Sequence, residues 1–359
     1  MTDVSRERMA AQLLAGPPVS AAVDVVERLL AVQAQDPRGA RLAIRARSVG
    51  LIASDVDRGL TQDRALLISW LNRGTLHLVR REDYPWLQQL TTPQLLTGNT
   101  RRLAELGVTP DAADRGVAVL DRALEAEGPL TRDQLRERVS AAGVRTEGQA
   151  LVHILARASY RGLIVRGPMV GRQQAFVLVR DWLGQIEAVD RDRALAWMAR
   201  RYLAGHGPAD ERDLARWGGL TIRDAIRGLR AIGLDLVQRA DGLVDLLRAD
   251  SAEAIPPPRL LGAYEPLLLG WRSRENFVPS HRERLIANNG LFRPFALVGG
   301  RAAGTWTLRD GAVSLNPFEP LAPGDSAALA ADAADVVRFL GATPGRRPMD
   351  TPAGESPDS

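Results

Sequence analysis

The chain has 359 residues, 45% hydrophobic and 25% charged, with a formal net charge of +4, which fits a globular protein of more than one domain. It has no cysteine, and its histidines (His77, His153, His206, His281) show no metal-ligand spacing, which excludes disulfides, iron–sulfur clusters, a cysteine nucleophile and any obvious metal site. All 47 basic residues are arginine, so no lysine can form an imine, and no apolar run reaches the ~18 residues of a membrane span.

The opening MTDVSRERMA has no apolar signal core, which predicts a cytoplasmic, nucleoid-associated protein without membrane contact. Helices are predicted over Ser5–Ala15, Ala21–Val32 and Ala40–Val49. Gln33-Ala34-Gln35-Asp36-Pro37-Arg38 lies between the last two. On a helix, residues two apart point about 200° away from each other, so the two amides could not face one ligand. On an extended segment they share a face. Pro37 favours that geometry by pushing Asp36 out of the α region. The segment reads as a polar elbow or, more plainly, as a capped helix end. Farther on, Arg73-Gly74-Thr75-Leu76-His77-Leu78-Val79 reads as a turn into an alternating strand, followed by helices over Arg81–Gln89 and Thr91–Glu105.

An internal repeat follows. Gly128-Pro129-Leu130-Thr131 and Gly207-Pro208-Ala209-Asp210 each lead through a good N-cap into a short helix. A glycine turn and a second helix come next, over Glu147–Arg161 in one copy and Ile222–Ile232 in the other. Each copy ends in β-prone segments: Leu163–Arg166 with Ala175–Val179, and Asp235–Val237 with Leu243–Leu247. Helix, turn, helix, hairpin is the order of a winged helix, and the N-terminal region reads as a degenerate third copy.

Beyond Ile255-Pro256-Pro257-Pro258, strands are expected at Leu267–Trp271, Phe295–Val298, Gly304–Leu308 and Ala312–Leu315, forming a small barrel or sheet with a helix over Ser326–Leu340 packed on it. The expected class is α+β. Its expected divisions are residues 1–115 with the elbow, winged helices over 116–188 and 189–254, a barrel with its helix over 255–340, and a disordered tail over 341–359.

Several segments resemble one family, the bacterial winged-helix DNA glycosylases of the AlkZ/YcaQ type. They are Val32–Arg38, Arg73–Leu78, Gly207-Pro208 with Asp213–Leu220, Tyr264–Gly270, Asn289–Pro294 and Gly304–Trp306. The resemblance implies three tandem winged helices and a C-terminal β-barrel, forming a concave DNA-binding body. It also implies a monomer without cofactor or metal that acts on double-stranded DNA, cleaving the N-glycosidic bond of alkylated purines. Gln33 and Gln35 are similar to the Gln-x-Gln of the AlkZ-like branch, whose members are often self-resistance enzymes, some of which unhook interstrand crosslinks; the other branch carries Gln-x-Asp. Tyr264-Glu265-Pro266 departs from the family pattern, in which an acid follows the aromatic residue as Asp.

An N7- or N3-alkylated purine already carries positive charge, so its base leaves without an acid. What remains is to position water and stabilise an oxocarbenium-like sugar through dipoles. Gln33 and Gln35 are the catalytic candidates, because a carboxamide oxygen can orient water and face a cation. Asp36 is the nearby group able to act as a true base, and His77 is a second candidate on its strand. Arg38, Arg73, Thr75, Asn289 and Arg293 are the DNA-binding candidates. Arg157 and Arg161 read as scaffold rather than readers of sequence. Without lysine the expected enzyme is monofunctional. A winged-helix transcriptional regulator and a non-catalytic lesion-binding protein are the alternatives.

Overall fold

The computed structural model describes residues 2–171, 173–247, 255–278, 280–287 and 290–341. It is an α+β fold of two compact units, each built from separated stretches of chain. Met1–Val56, Arg201–Asp213 and Leu234–Ser359 make one unit, and Asp57–Arg200 with Leu214–Gly233 the other.

In the second unit, four antiparallel strands lie in the order Thr75–Arg80, Leu66–Leu71, Ile164–Val170, Gln173–Leu178. Asn72 and Gly74 take positive φ, 50° and 83°, and so turn the chain between the first hairpin's strands. The strand Leu66–Leu71 is absent from the sequence expectation. All of its residues are buried, so it reads as an apolar run without alternation. Helices Pro110–Glu127, Arg132–Ala141 and Ala150–Tyr160 bury Leu120, Leu135, Leu151 and Ile154 in one core with Trp70 and Phe176.

The first unit is built on a four-stranded antiparallel sheet in the order Ala312–Pro317, Arg301–Arg309, Phe295–Val298, Arg259–Leu261. Of the small barrel or sheet that the strand pattern allows, the described pairings make an open sheet, without the closed barrel that the resemblance implies. The reason lies at Leu260, whose backbone N–H donates to Asp332 on helix Pro323–Leu340 (2.6 Å), so a helix covers the edge that a barrel would pair. Leu267–Trp271 is also corrected: Pro266–Leu269 is a short helix. Pro266 opens it, and the Glu265 side chain accepts from the Leu267 N–H at 3.3 Å. The expected tail lies outside the described residues apart from Gly341.

The repeat has a structural counterpart. Leu130, just before helix Arg132–Ala141, bridges Phe176 on its hairpin. Ala209, just before helix Glu211–Gly218, likewise bridges Val244 on the hairpin Leu236–Gln238/Val244–Leu246. Thr131 caps its helix with a reciprocal bond to Gln134, and the Asp210 side chain accepts from the Asp213 N–H.

Candidate active site

The elbow begins where helix Ala22–Leu29 stops, at Leu30 with φ 63°. Val32–Gln33 is extended, and helix Pro37–Arg45 starts after Asp36, whose φ of −105° and ψ of 113° are extended as well. Pro37 is in the helix's first turn, and Asp36 Oδ1 accepts from the Gly39 N–H at 2.5 Å. Two glutamines two residues apart therefore meet. Gln33 Nε2 donates to Gln35 Oε1. Gln33 is 7% exposed, and its Oε1 is buried with no hydrogen-bond partner among the described residues; Gln35 is exposed. A buried acceptor without a donor is costly unless something arrives to use it.

The elbow is fixed from below. A Cβ on Gly39 would lie 2.3 Å from the Ala263 carbonyl oxygen, and one on Gly262 would lie 2.9 Å from the Gly39 Cα, so two backbones touch where no side chain fits. Arg45 is buried at the other end of the same helix. It donates to Asp332 at 2.8 Å, Asp335 at 3.0 Å and the Leu260 carbonyl at 2.8 Å, tying the helix to the sheet and to Pro323–Leu340. Arg47 donates to both the carbonyl and the side chain of Gln12 and pairs with Glu265, both partners of that ion pair being 0% exposed. Glu265 thus serves the scaffold, which accounts for an acid in the departing Tyr264-Glu265-Pro266 motif.

Between these anchors Tyr264 sits at φ 54°, a left-handed conformation costing about 1–3 kcal/mol for a bulky residue. Its ring lies 5.9 Å from that of Phe292. Sequence reading flagged the motif but not this conformation, because neighbours impose it. A second feature missed is a cleft of about 450 Å³ in the same unit, lined by Arg8, Asp213, Trp271, Arg272 and Arg282 among others. Its charges largely satisfy one another: Arg8 meets Asp213 at 3.3 Å, and Arg272 meets Asp210 at 3.1 Å.

The second unit gathers Arg73, Thr75 and His77. His77 is buried, its Nδ1 lies 2.9 Å from the Thr75 carbonyl oxygen, and burial with the nearby Arg73 charge lowers its pKa to about 3. The ring is neutral, and Nδ1 carries the proton. Thr75 Oγ1 is buried without a partner among the described residues. Arg73 donates to the Arg216 carbonyl at 3.2 Å. Arg38 and Arg293 are exposed, whereas Asn289 lies outside the described residues. Arg157 and Arg161 both donate to Asp114, at 3.0 and 2.7 Å, as scaffold arginines would.

The family model described as DNA glycosylase AlkZ-like matches residues 26–339. The chain belongs to the AlkZ-like DNA glycosylase family. A curated relative from Streptomyces sahachiroi, named "Interstrand DNA cross-link repair glycosylase", is 28% identical over 93% of this chain and 95% of its own length. The solved structure of Streptomyces sahachiroi DNA glycosylase AlkZ matches with a TM-score of 0.78 and 28% identity, covering 96% of this chain and 97% of that one. The AlkZ-like assignment makes the chain a DNA glycosylase. No described helix is long and apolar enough to cross a membrane.

Proposed function

We propose that this glycosylase hydrolyses the N-glycosidic bond of cationic N7- or N3-alkylated purines in double-stranded DNA, including bases crosslinked between strands, with Gln33 and Gln35 as its hydrolytic elbow. The observation that carries the reading is the buried, unpartnered Gln33 Oε1 held by its amide's bond to Gln35. That oxygen suits a substrate that needs no acid: it holds water or faces the sugar as positive charge moves there. Asp36 is the local carboxylate, but one of its oxygens already caps a helix, so it ranks below the glutamines as a base. The crosslink substrate follows the named relative.

The two helix–turn–helix–hairpin series, each with its bridging residue, serve in this reading as winged helices on DNA, supported by the order of elements and the paired bridges. Arg38, Arg73, Thr75 and Arg293 supply phosphate and sugar contacts. The enzyme works as a monomer and leaves an abasic site uncut.

The test is a single-turnover incubation with duplexes bearing N7-methylguanine, a bulky N7-guanine adduct or an N7–N7 crosslink. Strand breaks that appear only after alkali, and that Gln33→Ala and Gln35→Ala abolish, are the expected result. Tight binding of all three lesions without base release would instead make the chain a lesion-binding protein.

A further inference from the structure

The loop 262–265 brings an aromatic ring to the elbow that neither hydrolysis nor the core requires. Tyr264 is half buried and left-handed, with φ at 54°. Its backbone is held on both sides, upstream by the contact of Ala263 with Gly39 and downstream by the buried pair of Glu265 with Arg47. The ring stands 5.9 Å from Phe292, tilted by 44°, and Phe292 in turn has the Arg274 guanidinium 5.2 Å from its centroid. Asp36 caps Gly39, the residue against which Ala263 packs, and this places its carboxylate on the side of the loop that carries Tyr264. Burial raises the Tyr264 pKa and the Asp36 charge adds to that rise, so the phenol stays neutral. The second Asp36 oxygen makes no hydrogen bond among the described residues.

A strained, half-open aromatic face with a carboxylate beside it suits a flat cation. The ring quadrupole and the carboxylate both attract positive charge, and stacking accepts any purine. The geometry points to Tyr264, backed by Phe292, as the face on which the alkylated base stacks, and to Tyr264 with Asp36 as the pair that selects charged bases over neutral ones. This rests on the elbow being the hydrolytic site. When the C1′–N9 bond breaks, its electron pair leaves with the base, which becomes neutral, while positive charge passes to the sugar until water bonds through its oxygen to C1′ and releases a proton to solvent. The attraction that held the base therefore falls as it departs, so the pair acts on substrate binding rather than on the bond-breaking step.

The experiment uses the full chain and two duplexes with uncleavable lesions of the same shape. One carries 2′-fluorinated N7-methylguanosine, which is cationic, and the other 7-methyl-7-deazaguanine, which is neutral. The wild-type protein is expected to bind the cationic duplex about fivefold more tightly. Tyr264→Leu should bring that ratio close to one and Tyr264→Phe should keep it, because the ring and not the hydroxyl is at work. Asp36→Asn, which retains the capping oxygen, should lower the ratio and decides the matter if Tyr264→Leu does not fold. An equal affinity of the wild-type protein for both duplexes, or a wild-type ratio in folded Tyr264→Leu, overturns the proposal. Excision of N7-methylguanine by Gln35→Ala at the wild-type rate would sink the hydrolytic reading instead, and the ratio, read without turnover, would still score Tyr264.

Discussion

Gln33 donates its amide hydrogen to the Gln35 carbonyl oxygen, so the pair has a direction: Gln35 accepts, and the Gln33 oxygen is the one left over. An acid at position 35 can still accept that hydrogen. An acid at position 33 cannot give it, and would set two acceptors against each other. Gln35→Glu should therefore keep most of the single-turnover excision rate on N7-methylguanine, while Gln33→Glu should lose on the order of 100-fold, as when one preorganised dipole is removed. A Gln-x-Asp in the other branch of the resembled family fits the same direction. Equal losses in the two variants would remove the directional reading.

The Arg47–Glu265 pair predicts a stability effect. Both side chains are 0% exposed, so removing one leaves the other as an uncompensated buried charge. Glu265→Ala should cost about 3–5 kcal/mol in urea unfolding. The double change Arg47→Met/Glu265→Leu should cost less than either single removal, since apolar side chains leave no stranded charge. A double variant as unstable as the sum of the singles would show that packing, not charge, dominates there.

The elbow was legible because local rules decided it: Pro37 restricts Asp36, and the spacing of the glutamines needs extended backbone to bring them together. The repeat was legible for a similar reason, since Gly-Pro and a capping residue mark each helix start. What escaped was set by distant partners. Leu66–Leu71 lacks alternation because both of its faces are covered. Leu267–Trp271 is the local exception, where the Glu265 cap and Pro266 in the first turn make Pro266–Leu269 a helix. The left-handed Tyr264 depends on Gly39 and Arg47, each more than 200 residues away in sequence (contacts at Ala263 and Glu265). Strand spacing leaves a small barrel and a sheet both open and the resemblance implies the barrel; the Asp332 contact at the Leu260 edge is a long-range one that spacing does not reveal.

Two neutral, buried histidines predict a pH dependence. Burial is the first cause that lowers His77 and His206, each to about 3 from a usual value of 6.5. Between pH 6.5 and 3 the unfolded chain binds protons that the folded chain refuses. Stability is therefore fully present above pH 6.5 and falls as pH drops through that window, by about 1.4 kcal/mol per pH unit for each histidine. His77→Gln and His206→Gln should each flatten the plot of unfolding free energy against pH. The excision rate should show no inflection from His77 near neutrality, because its ring does not titrate there. A slope unchanged in both variants would contradict the burial argument.

Arginines alone do not mark the DNA surface of this chain, and Arg38 and Arg157 separate the two uses. Arg38 is exposed on the first turn of the helix after the elbow and makes no ion pair among the described residues. Arg157 is buried and donates to Asp114 at 3.0 Å and to Thr100 at 3.0 Å. A phosphate contact releases condensed counterions, so its loss reduces the salt dependence of binding. Arg38→Ala should weaken binding to lesion-bearing and undamaged duplexes alike and lower the slope of log affinity against log salt by about 1, with Tm unchanged. Arg157→Ala should do the reverse, lowering Tm through the lost packing of a buried side chain and its bonds to Asp114 and Thr100, while the salt slope holds. If the two variants exchange these signatures, the helix Ala150–Tyr160 reads DNA and the face beyond the elbow does not.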